Sequence, residues 1–69
     1  MGRPVTPETL TDAMVRNLGQ SDFRRELWRG IPIHVIAHRA LWSRTERGKQ
    51  ANRRRCVDII NARAAKESP

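Results

Sequence analysis

Apolar residues recur with a helical period through the middle of the chain. Ile33, Ile36, Ala37, Ala40 and Leu41 stand at i, i+3, i+4, i+7 and i+8, one continuous face, and predict a helix over about 32–41. Pro32 suits the first turn of that helix, and Gly30 suits the end of whatever precedes it. Upstream, Thr6-Pro7-Glu8 has the form of a helix start: a capping hydroxyl, a proline at the first helical position and an acid at the positive end of the dipole. Leu10, Met14 and Leu18 then line one face with Val15 beside them, and Gly19 stops the run, which predicts a helix over about 7–18. Ser21-Asp22 reads as a restart, with Phe23, Leu27 and Trp28 as the apolar stripe of a second helix ending at Gly30.

Beyond Leu41 the pattern changes. Ser43-Arg44-Thr45-Glu46 fits a capping box, a serine followed three residues later by glutamate, so a new helix is expected to open at Ser43. Between Trp42 and Cys56 only Gly48 and Ala51 are small or apolar, while Arg44, Arg47, Lys49, Arg53, Arg54 and Arg55 face a single acid, Glu46. Such a segment is a solvated helix, a helix in a nucleic-acid groove, or a surface for an acidic partner. The apolar signal returns with Cys56, Val57, Ile59, Ile60 and Ala64. No repeat and no strand-like alternation is visible. The expected fold class is all-α: three or four short helices or, if Ser43 does not interrupt, a helical hairpin with one long basic helix over 32–65. The chain reads as one domain, 1–69, with 1–5 a flexible arm and 65–69 a frayed tail. Core or dimer contacts are expected from Leu10, Met14, Leu18, Phe23, Leu27, Trp28, Ile33, Ile36, Leu41, Cys56, Ile59 and Ile60.

Size bears on that last expectation. A chain of 69 residues gains only about 3–5 kcal/mol from its core. With one cysteine it forms no intrachain disulfide, and no Cys/His set has structural-zinc spacing. A homodimer is the expected support. The lone thiol and the absence of a signal-peptide pattern predict a cytoplasmic protein. No run approaches the roughly 18 apolar residues of a membrane span, so no membrane partner is expected.

Charge narrows the partner. Fourteen Lys and Arg oppose seven Asp and Glu, for a net charge of +7. Residues 1–34 hold five basic and four acidic groups, whereas residues 35–69 hold nine and three. A basic half on so small a domain points to phosphates or to an acidic protein surface. Twelve of the fourteen are arginine, which suits bidentate contacts. Arg3, on the expected arm, has the placement of a minor-groove contact, although a frayed terminus is the plainer reading.

No base-and-orienter set, phosphate-cradling glycine loop or carboxylate pair stands out, so neither enzyme activity nor a cofactor is expected. His34 and His38 are four apart, but no third metal ligand lies near; they read as surface or interface histidines, not a metal site. Cys56 shares the apolar stripe with Ile59 and Ile60 and reads as a buried structural thiol.

Gly30, Ile31, Ile33, Ile36-Ala37 and Ser43-Arg44 fall where the helix-turn-helix of resolvase-type and small repressor proteins has its glycine, branched residues, Ile-Ala pair and recognition-helix start. Gly30–Lys49 resembles that family, with two departures. Leu41 occupies the turn position that favours glycine, and Arg47 a position that is usually apolar. The resemblance implies transcriptional regulation through duplex DNA. Arg44, Thr45 and Arg47 would meet base edges, and Lys49, Arg53, Arg54 and Arg55 would meet phosphates. A rival expectation is a protein-binding inhibitor. In length and character the chain resembles small phage-encoded anti-activators that block quorum-sensing regulators. Here Val35, Arg39, Trp42 and Arg44 would grip an acidic or apolar surface of a host regulatory protein.

Overall fold

The computed structural model describes residues 3–20 and 25–67. These residues are mostly helical. Helix α1 spans Asp12–Leu18, α2 Ile33–Trp42 and α3 Glu46–Glu67. Strands β1, Leu27–Trp28, and β2, Ile31–Pro32, form an antiparallel hairpin between α1 and α2. The central helix α2 packs on both α1 and α3, which touch each other only slightly.

The apolar face expected of α2 is the centre of the core. Ile33, Ile36, Ala37 and Ala40 are buried there with Leu10, Val15, Leu18, Cys56, Val57 and Ile59. Leu41, Trp28, Ile31, Ile60 and Val5 are partly buried against this cluster. Two residues expected in the core or a dimer contact, Met14 and Leu27, are 38% and 61% exposed in the single chain. Phe23 lies outside the described residues.

Helix α1 starts later than expected, for a tertiary reason. Thr6 opens only one turn: the backbone N–H groups of Thr9 and Leu10 donate to its carbonyl. In a continuous helix the Leu10 carbonyl would accept from Met14. Here it accepts from Arg53 Nη2 at 3.0 Å, and the Met14 N–H donates to Thr11 Oγ1 at 3.2 Å. Thr11 is therefore the cap, and Asp12 the acid of the first turn.

No helix ends at Gly30. Leu27 pairs with Pro32 and Trp28 with Ile31 across a two-residue turn, Arg29-Gly30. Both turn residues have positive φ, +50° and +82°, as a type I′ hairpin turn requires. In sequence Phe23, Leu27 and Trp28 make a single short stripe at helical spacing, which the Arg29-Gly30 turn chemistry outweighs. Trp28 leans on the core, and the Arg29 guanidinium lies 5.6 Å from its ring centroid.

Within the expected arm and tail, Val5 and residues 65–67 have defined places. Asn61 clasps the backbone of Val5: the Val5 N–H donates to Oδ1 at 2.9 Å and Nδ2 donates to the Val5 carbonyl at 2.8 Å. Helix α3 continues through residues 65–67. No helix among the described residues is long and apolar enough to cross a membrane.

Candidate nucleic-acid interface

The α2–α3 junction is a three-residue turn, Ser43-Arg44-Thr45, so residues 32–65 are not one helix. Ser43 ends α2, its N–H donating to the Arg39 carbonyl at 3.0 Å. The cap of α3 is Thr45 and not Ser43. Thr45 Oγ1 accepts from the Gly48 N–H at 3.0 Å, and the Thr45 carbonyl accepts from the Lys49 N–H. The turn is tight because Gly48 has no side chain. A Cβ there would stand 2.7 Å from Ser43 Oγ and 2.9 Å from Thr45 Oγ1. The glycine thus sits inside the second helix, where the motif resemblance did not look for it.

Helix α3 has two unlike sides. One is fixed in the core by Asn52, Cys56 and Ile59. Asn52 is buried, with Nδ2 donating to the Gly48 carbonyl at 2.8 Å and Oδ1 accepting from Arg55 Nη1 at 3.0 Å. The other side presents Arg47, Gln50, Ala51, Arg54 and Asp58, all exposed and spaced at successive turns. Gln50 is oriented by a hydrogen bond from Nε2 to Glu46 Oε1 at 3.1 Å. The N-terminal turn borders this face, and Pro7, Gln50, Arg54 and Asp58 line a shallow cleft of about 480 Å³. Glu8 stands near Arg54. Its carboxyl is held below the usual range by its own backbone hydrogen bond first, then by the Thr6 hydroxyl, with the Arg54 charge a smaller cause.

The chain matches no family model, no curated protein and no solved structure.

The predicted contact residues divide by geometry. Arg47 and Arg54 lie on the outer face of α3, and Arg44 is exposed in the turn before it. Thr45 is exposed, and its hydroxyl oxygen accepts from the helix, which fixes the side chain while leaving the O–H able to donate. Arg53 leaves the phosphate set. It turns inward to Asp12 Oδ1 and the Leu10 carbonyl, both at 3.0 Å, with its side chain 17% exposed. Lys49 is half-buried, and helical spacing places it away from Arg47. Arg55 is exposed at the edge of the face, held by Asn52. Gln50 and Ala51 were missed by sequence reasoning. Counting the helical period from the Cys56–Ile59 stripe would have found them, but Asn52 and Arg53 on the inner side blur that period.

Val35, Arg39 and Trp42 lie together along α2, on the wall of a trough shared with α1 and apart from the outer face of α3. Trp42 is 65% exposed, so it does not staple α3. His34 and His38 border the same trough. No cluster of three metal-ligating side chains occurs among the described residues. Cys56 is fully buried, and burial pushes its thiol up to about 11 against the smaller opposing pull of Arg53. That environment is the reverse of an activated nucleophile's.

Proposed function

We propose that the protein is a DNA-binding regulator of transcription that lays the outer face of α3 in a major groove. One observation carries the reading. A helix anchored on one side, and entered by a three-residue turn, presents Arg47, Gln50, Ala51 and Arg54 on the other side at successive turns. A B-DNA major groove is wide enough for one helix, so side chains in such a row meet successive base steps. Arginine matches the paired acceptors of guanine and glutamine the donor and acceptor of adenine. Arg44 and Arg55, at the two edges, suit phosphates and set position without reading sequence. Ala51 lets the backbone approach and has a methyl for thymine. The acid on this face, Asp58, follows the cationic row and bounds it toward the C-terminal half of the helix. A homodimer, the other half of the proposal, would place two such helices on half-sites about one turn apart.

The test is fluorescence anisotropy of a labelled mixed-sequence duplex over about 50–200 mM salt. Micromolar binding that falls steeply with salt supports the reading, and selection from random duplexes should then return a short preferred half-site. A folded protein that fails to bind at about 100 mM salt sinks it.

A further inference from the structure

One concavity lies away from the outer face of α3. It is an open trough of about 690 Å³ between α1 and α2, lined by no α3 residue. Its apolar lining includes Val15, Val35, Leu41 and Trp42, and its charged lining is Arg16 and Arg39. Among the described residues no aspartate or glutamate lines it. Trp42, at 65%, is the most exposed large apolar side chain among the described residues. An indole exposed beside an arginine is the usual composition of a binding hot spot. His34, on the trough wall, keeps a buried Nδ1 without a hydrogen-bond partner.

We propose that this trough docks an acidic amphipathic helix of a partner protein, with Trp42 as its apolar anchor and Arg16 and Arg39 as its carboxylate contacts. The mode is that of a helix laid in a groove, its apolar residues at i, i+3 or i+4 and i+7 seated between two helices. Charge selects the occupant. The fixed charges of the described lining are both positive, so a carboxylate-rich helix gains charge-assisted hydrogen bonds at its rim. A second copy meeting this one trough to trough would set Arg16 and Arg39 against their own counterparts, with no acid in the described lining to offset them. A duplex offers phosphates but no apolar row for Trp42, Val35 and Leu41. The inference does not rest on the DNA reading, because the outer face of α3 and the trough share no residue.

The experiment is a nitrogen-15 correlation titration of the whole protein. The probe is a synthetic helical peptide with leucines at i, i+3, i+4 and i+7 and glutamates elsewhere. The expected result is shifts clustered at Val35, Arg39 and the Trp42 indole N–H. Trp42→Ala and Arg39→Glu should each weaken binding by about tenfold or more, with the melting curve of each variant checked against the wild type. The same peptide with lysine in place of glutamate should not bind. Several results would overturn the proposal. They are an unshifted trough at saturating peptide, shifts confined to the α3 face, and equal binding of the lysine peptide. Shifts at the trough on changing protein concentration alone would make the occupant a second copy. Shifts there on adding duplex would make it a nucleic acid.

Discussion

Arg53 turns inward and holds the carbonyl of Leu10 and the carboxylate of Asp12, while Arg54, one residue on, faces solvent. Their substitutions should separate accordingly. Arg53→Ala leaves a backbone carbonyl unpaired and should cost about 1–2 kcal/mol, read as a fall in Tm of at least about 4 °C for a chain of this size. Most of that loss belongs to the Leu10 bond, since Asp12 is largely exposed and its ion pair is screened. Arg54→Ala and Arg47→Ala should leave Tm nearly unchanged and weaken duplex binding, by about 1–3 kcal/mol where the arginine meets a base. If Arg53→Ala and Arg54→Ala proved equally harmful to binding in folded protein, the division of roles along α3 would be wrong. Cys56 gives a pH prediction. Its thiol titrates near 11 when folded and near 9.0 when free, so the unfolded chain loses the proton first. This contribution to stability is fully present below about pH 9 and is lost as pH rises toward 11. Denaturant midpoints across that alkaline range should fall, and Cys56→Ala should flatten the fall.

At the scale of elements, the junction between α2 and α3 depends on Gly48. Replacing glycine by alanine inside an exposed helix ordinarily stabilises by about 1 kcal/mol. Gly48→Ala should fail to do so, because the new Cβ meets the Ser43 and Thr45 hydroxyls, and the second of these caps the helix. Ser43→Ala removes the nearer hydroxyl and should recover part of the loss in the double variant, a coupling that thermal melts of the four proteins would measure. Additive effects would mean that the two residues do not meet. At the other end of α2, Gly30 has φ +82°, and a side chain there strains the hairpin turn with nothing within 4 Å to pack on.

For the whole molecule, α3 is the spine to which the other segments are fastened. Asn61 holds Val5, Arg53 holds the Leu10–Asp12 segment, and Arg63 pairs with Glu26 before the hairpin at 2.6 Å. Three segments distant in sequence thus share one helix, so loosening a fastening should release one segment without melting the core. Asn61→Ala should speed amide exchange at Val5 selectively while core amides such as Ile36 stay protected. Uniform acceleration would mean that the clasp is part of the global unfolding unit. Oligomeric state belongs to this scale too. Sedimentation equilibrium at micromolar concentration is expected to give a dimer, and a monomer would limit the proposed DNA site to one half-site.

Local chemistry alone determined the helix around Ile33, Ile36, Ala37 and Ala40, because an apolar face at helical spacing has one economical way to leave water. It also determined the stop at Gly19, the break near Ser43 and the burial of Cys56. Other features were decided by tertiary structure. The start of α1 depends on a guanidinium that arrives from 43 residues away, and the order of the N-terminal arm on an asparagine 56 residues away. The hairpin at Arg29-Gly30 carried a turn signal in its glycine, but the helical spacing of Leu27 and Trp28 from Phe23 competed with it, and packing of Trp28 and Ile31 on the core favoured the turn. Six cations in a row looked alike as sequence. Only the position of α3 against α2 separated those that face outward from the one that braces the fold, because the side a helix exposes is set by what it packs on.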